Sequence, residues 1–219
     1  MKAYKFRSSA QIAYALDIIL NRRLHCSDWH RLNDPMEGMF VYSTHGPEPE
    51  AQRRVKGIGE AKRQYKVCSL AGAFQSHLLW SHYAGGFDGL AIEIDLPDDD
   101  YRVRKVEYRG VFAFLDMDRV RDETEAAQRI LYSKYRDWEY EQEVRILNET
   151  EWYGFERPVS RVIAGTRMPL ALSETLSIVC ERQNIQLCEV GIGDEGIDAD
   201  AVFPMDLEVR CRRERRHLG

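Results

Sequence analysis

Gly89-Leu90-Ala91-Ile92-Glu93-Ile94-Asp95-Leu96 is the stretch on which the fold turns. Its apolar residues fall at every second position, which is the period of a β-strand. Helical spacing follows the cap-like Ser8-Ser9 over Ala10–Asn21 (AQIAYALDIILN) and returns over Leu170–Asn184. Further strands are predicted at Lys2–Arg7 (KAYKFR), Lys66–Leu70 (KVCSL), Arg102–Tyr108 (RVRKVEY), Tyr140–Leu147 (YEQEVRIL), Val159–Ala164 and Ile185–Val190, with a short one at Leu24–Cys26. Helices are predicted at Glu50–Lys66, Ser76–Tyr83 and Asp116–Tyr135, and Asp28–Gly38 reads as a loop around Asn-Asp-Pro. Strands and helices mix irregularly, without a regular βαβ alternation. That predicts a single α+β domain over residues 1–209, a mixed sheet with flanking helices. An Arg-rich tail follows over 210–219, with Arg210, Arg212, Arg213, Arg215 and Arg216.

The 219 residues suffice for a core without disulfide or metal staples, and 44% hydrophobic content excludes wholesale disorder. No apolar run reaches the ~18 residues a membrane span needs. Met1–Lys5 has no apolar segment behind it, so neither a membrane anchor nor a secretory leader is expected. The cysteines at 26, 68, 180, 188 and 211 are odd in number and lack C-x-x-C spacing, which predicts reduced thiols in a cytoplasmic protein. Lys and Arg number 31 against 36 Asp and Glu, a net charge of −5. That balance argues against a surface built wholly for nucleic acid. Arg53, Arg54, Lys56, Lys62, Arg63 and Lys66 gather around Gly57–Gly59 and, with the tail, form either a polyanion-binding patch or a solvated face.

Four constellations can carry chemistry. In Trp138-Glu139-Tyr140-Glu141-Gln142-Glu143-Val144-Arg145, a strand's period puts Glu139, Glu141, Glu143 and Arg145 on one face. Carboxylates so close repel and call for a cation or a ligand; the bland alternative is a solvated face with Arg145 as partner. Trp80-Ser81-His82-Tyr83-Ala84-Gly85-Gly86 joins aromatics that can stack on a flat ring to glycines that let a backbone approach closely; it reads equally as core. Asn33-Asp34-Pro35-Met36-Glu37 is a rigid turn or a pocket lining. Arg7, at the end of Tyr4-Lys5-Phe6-Arg7, can clamp a phosphate or pair with the acidic strand. Phosphate-loop, nucleophile-elbow and zinc-ligand motifs are absent from the sequence.

In order along the chain, Y-K-F-R, L-N-D-P-M-E, V-C-S, W-S-H-Y-A-G-G-F-D-G-L-A-I-E-I-D, K-V-E-Y, S-K-Y-R-D-W-E-Y-E-Q-E-V-R-I-L and V-I-A-G-T-R resemble a widespread bacterial domain family of unknown function. Its hallmarks are N-D-P-x-E, W-x-H-Y-A and W-x-x-E-x-E-x-R, and the resemblance spans roughly Tyr4 to Val190. More remotely, its members are similar to the ADP-ribosyltransferase fold, a split mixed sheet that bends NAD across a cleft. The resemblance implies an NAD-consuming transferase acting on a protein or nucleic-acid acceptor, as a toxin or phage-defence effector held by a cognate antitoxin would. It makes Glu143 the stabiliser of the oxocarbenium-like transition state and Glu141 the residue that orients the acceptor. Arg7 would hold the pyrophosphate and Tyr83 or Trp80 would stack on nicotinamide, with Tyr4, Asn33, Asp34 and His82 as further NAD-binding candidates. The H-G and R-x-S-T-S signatures of well-known transferases are absent.

Two other classes fit the residues. Glu93, Asp95, Glu141 and Glu143 could gather Mg²⁺ in a nuclease or phosphodiesterase, although E-x-R stands where such sites more usually carry E-x-K. The aromatic element could instead serve a non-catalytic module that senses or binds a nucleotide.

Overall fold

A computed structural model describes residues 1–110, 112–194, 196–197 and 202–211. The chain is α+β, and its backbone contacts gather into two units. The first comprises Met1–Arg23, Leu70–Leu96 and the described residues from Phe155 onward; the second comprises Leu24–Ser69 and Pro97–Gly154.

In the first unit, the strand Leu90–Asp95 lies between Lys2–Arg7 and Arg161–Ala164, antiparallel to both. Arg161–Ala164 continues through the helix Leu170–Gln183 to a parallel partner, Gln186–Val190, since parallel neighbours need a crossover. Val202–Pro204 closes the five-stranded mixed sheet at its edge, where a proline's missing N–H is tolerated. Flanked on both sides, Leu90–Ile94 is buried throughout, so the alternation that revealed the strand does not mark a wet face. Glu93 is consequently buried, and the unit surrounds it with Lys2, Tyr4, Ser160 and Arg161.

The helix His77–Tyr83 buries Leu79 and Trp80, then stops in three successive left-handed residues: Gly85 (φ 58°), Gly86 (φ 67°) and Phe87 (φ 72°). Two further glycines are required by close backbone contact. A Cβ on Gly89 would lie 2.0 Å from the Arg7 carbonyl oxygen, and one on Gly165 would lie 2.2 Å from that of Phe87. The glycines of this motif therefore serve chain packing. Arg210, the first arginine of the tail, is buried here against Ser173, the Gly165 carbonyl and Glu189. Arg212, Arg213, Arg215 and Arg216 lie outside the described residues.

The second unit holds a four-stranded sheet in the order Ser27–Asp28, Lys66–Leu70, Val144–Asn148, Val103–Lys105. Two parallel ribbons join it, Phe40–Ser43 with Ala113–Asp116 and Glu107–Arg109 with Ser133–Tyr135. Its helices Glu48–Arg63 and Glu123–Leu131 contribute Ile58, Ala126 and Ile130 to a core with Leu115, Met117 and Val120.

Several elements differ from what the sequence predicts; Arg102–Tyr108, for one, divides into the strands Val103–Lys105 and Glu107–Arg109. The helix expected over Asp116–Tyr135 runs only over Glu123–Leu131, because extended Asp122 caps it by accepting the Glu125 N–H at 2.8 Å. The strand expected over Tyr140–Leu147 begins at Val144, because Arg136–Glu141 is a 3-10 helix ending in left-handed Gln142 (φ 45°). The basic residues near Gly57–Gly59 also disperse. Arg54 donates to the Met117 carbonyl, Lys62 is buried and Lys66 pairs with Asp28, leaving Arg53, Lys56 and Arg63 exposed. No helix among the described residues is long and apolar enough to cross a membrane.

Glycine substitutions separate packing from flexibility. Gly89→Ala should lower stability by about 2 kcal/mol or more, since backbone must move. Gly59 is mid-helix, and a Cβ there would meet nothing within 4 Å, so Gly59→Ala should gain about 1 kcal/mol. Urea unfolding of both variants checks the pair; a tolerated Gly89→Ala would contradict the packing.

Candidate functional site

The site is built from a turn. Asp34 Oδ1 accepts the Met36 N–H at 2.9 Å and the Asp34 carbonyl accepts the Glu37 N–H at 3.1 Å, so Asn33-Asp34-Pro35-Met36 folds back and sends Glu37 inward. There Glu37 meets Arg145 in a fork, Oε1 to Nη1 at 2.7 Å and Oε2 to Nη2 at 3.2 Å. Glu143 forms a second fork on the same guanidinium, Oε1 to Nε at 2.8 Å and Oε2 to Nη2 at 3.0 Å. The Leu131 carbonyl takes the remaining Nη1 hydrogen. All five donors of Arg145 are thereby used, as a guanidinium with 0% exposure requires.

Lys134 extends the cluster. Its Nζ bridges Glu141 at 2.6 Å and Glu143 at 2.9 Å and lies 4.9 Å from the Trp138 ring centre. Tyr108 Oη accepts the Glu143 N–H at 2.6 Å, and the Ser69 side chain hydrogen-bonds the Glu143 carboxylate. The cluster thus unites N-D-P-M-E, V-C-S, K-V-E-Y and W-E-Y-E-Q-E-V-R, four segments far apart in sequence.

Burial pushes the Glu143 carboxyl up, but the charges of Arg145 and Lys134, with hydrogen bonds from Arg145 and Ser69, more than offset that and hold it at about 2. Glu37 is different: burial outweighs Arg145 and raises its carboxyl. Burial lowers Lys134, but Glu143 and Glu141 reverse this and raise it. Burial pushes the Tyr108 hydroxyl up to about 12. The two cations therefore favour the carboxylate form of Glu143.

The predicted site residues divide between the units. Glu141 and Glu143 stand together in the second, with Glu141 on the 3-10 helix and Glu143 just ahead of the strand, so they do not share the strand face that the period implied. Asp34 is buried in the turn and Asn33 is exposed beside it. In the first unit, Tyr4 is buried and donates its hydroxyl to Glu93 at 3.1 Å. Trp80 is 0% exposed, its indole N–H is donated to the Phe74 carbonyl at 2.7 Å and its ring is stacked on Phe87. Trp80 therefore has no surface left for nicotinamide. Arg7 is half-buried, its guanidinium 5.9 Å from the Tyr14 ring centre. His82 is exposed next to half-buried Tyr83. Sequence reasoning missed Glu37, Ser69, Tyr108 and Lys134. Glu37 was visible as the last residue of N-D-P-M-E, but nothing in a turn motif names its distant partner.

Among the described residues, no group of three or more His, Cys, Asp or Glu is placed to hold a metal ion. In comparisons with known proteins, no family model, no curated protein and no solved structure matches the chain.

The cluster gives stability a defined acid dependence. The Glu143 carboxyl is depressed from 4.5 to about 2, so its contribution is complete above pH ~4.5 and lost as pH falls towards 2. Glu37, raised, works in the opposite sense. Glu143→Gln should flatten the fall in stability between pH ~4.5 and ~2, read by denaturant unfolding across that range. At neutral pH, Arg145→Met should cost about 3–5 kcal/mol, because two buried carboxylates lose their cation. Asn33→Ala, at an exposed position, should stay within about 0.5 kcal/mol.

Proposed function

We propose that the chain belongs to the bacterial domain family its motifs resemble and is an ADP-ribosyltransferase-like protein that consumes NAD and modifies a protein or nucleic-acid acceptor. The observation that carries this reading is Glu143 held between Arg145 and Lys134, with Glu141 beside it on the same ammonium. Loss of nicotinamide from NAD breaks the ribosyl C1′–N bond. The bonding pair leaves with nicotinamide, and positive charge develops on the ribose. A fixed carboxylate stabilises that charge, whereas a protonated one does not. Glu143 is suited to that role by its charge, and Glu141, at the end of a 3-10 helix, to orienting the acceptor.

The reading requires Lys134 and Glu141 to swing off Glu143, which is 1% exposed in this conformation. Arg7, Tyr83 and His82 belong to the first unit and carry no role in this reading. Asn33 and Asp34 remain candidates through their turn. Tyr4 and Trp80 serve the scaffold in this reading.

A second reading, a binding module without catalysis, is favoured by the closure of the same cluster. Every donor of Arg145 is used and every carboxylate is paired, which is also what a structural staple needs. The magnesium reading has less behind it, since Glu93 and Glu143 each already sit among the protein's own cations.

Nicotinamide release and acceptor labelling, measured with NAD and cell lysate, separate these readings. The wild type should release nicotinamide and label an acceptor. Glu141→Gln should keep release but lose labelling, and Glu143→Gln, with its fold checked by circular dichroism, should lose release by about a hundredfold or more. A thermal shift with NAD but no release would point to the binding module. Neither shift nor release would overturn the NAD reading.

A further inference from the structure

A different part of the second unit holds a buried lysine that the ion cluster does not use. Lys62 is 7% exposed, and its Nζ donates to the Gly38 carbonyl at 2.6 Å. It otherwise faces aromatic rings, lying 4.5 Å from the Trp29 ring centre and 5.3 Å from that of Phe40. No carboxylate pairs with it among the described residues. Burial, with Arg63 adding to it, lowers its pKa. An ammonium held by one carbonyl and two ring faces has lost most of its hydration without gaining a counter-charge.

Lys62 lines a recess of about 370 Å³, within the range of small-molecule sites. The other lining residues are Trp29, Gly38, Met39, Phe40, Val41 and Phe112, so the walls are apolar. The Trp29 Nε1–H is buried without an acceptor among the described residues. Outside the recess the apolar surface continues. Val41 pairs in register with Phe114, and Met39, Val41, Phe112 and Phe114 are all exposed at alternate positions of the two strands' segments. A contiguous exposed apolar patch of this kind marks a binding surface more often than chance.

We propose that this recess binds an apolar monocarboxylate, a medium-chain fatty acid or similar small acid, with its carboxylate on Lys62 and its tail along Met39, Val41 and Phe112. Charge complementarity selects this occupant. One desolvated cation matches one carboxylate, and the described lining residues include no second cation for a phosphate or a diacid. A neutral apolar ligand would leave the ammonium uncompensated.

Calorimetric titration of the full chain with octanoate and with 1-octanol tests this without any variant. Octanoate should bind saturably below its micelle concentration, and octanol about tenfold or more weakly. Lys62→Met, which keeps the apolar stem, should erase that preference; Phe112→Ser, at an exposed position, should weaken octanoate about tenfold. Thermal melts check that both variants fold, and the acid–alcohol comparison in the wild type stands if Lys62→Met does not. Equal affinity for acid and alcohol, no saturable octanoate binding, or unchanged octanoate binding in folded Lys62→Met would each overturn the proposal. So would binding confined to hydrophobic peptides with a free C-terminal carboxylate, which would make the recess a peptide site instead.

Discussion

Arg145 cannot sit in the second unit's core unless each of its five N–H groups and its charge are answered there. The answer comes from three parts of the chain: the turn carrying Glu37, the Leu131 carbonyl at the end of a helix, and Glu143. The requirement is geometric as well as electrostatic. A guanidinium offers two coplanar edges, and the two carboxylates occupy both. A lysine at this position would answer one of them at best. The Arg145 requirement also explains why Asn33-Asp34-Pro35-Met36 must turn sharply, since the turn sets where Glu37 enters.

The sequence disclosed elements more readily than partners. Lys2–Arg7, read from its alternation, and Lys66–Leu70, read as a buried strand, both form strands with the predicted bounds, because both signals are local. Gln142 was not legible as a strand breaker, since a left-handed glutamine carries no sequence mark comparable to Asn-Gly. Nor was the start of the helix at Glu123, where several Asp residues close together offered competing caps. The cluster was half legible. Repulsion between Glu141 and Glu143 implied a compensating cation, and Arg145 was an evident one. Lys134 and Glu37 were not evident, because neither lies at strand spacing from the pair.

The first unit shows the same device in another form. Glu93 accepts from Lys2, Tyr4, Ser160 and Arg161, so its carboxylate is answered on every side. Burial raises that carboxyl, and the two cations outweigh burial and leave it below its ordinary value. Tyr4 and Arg161 flank Glu93 directly, in register on the neighbouring strands. A polar residue in a central strand thus fixes register, because a slip of one position would bury Glu93 without its partners. This is why Tyr4, attractive from sequence as a ligand contact, is better understood as part of the sheet.

Two lysines in the second unit have side chains withdrawn from water. Lys134 lies between Glu141 and Glu143, and its pKa rises; Lys62 lies between aromatic rings, and its pKa falls. Residue type and burial are shared, so the partners decide the sign. In this conformation Lys134 is already paired, since its ammonium separates two carboxylates. Among the described residues, the only polar contact of Lys62 is a carbonyl that water could also satisfy. The ring faces of Trp29 and Phe40 and one carbonyl compensate a desolvated ammonium only in part, and an uncharged side chain of similar length would carry no such cost. That cost is the physical reason for expecting a charge to arrive from outside the chain.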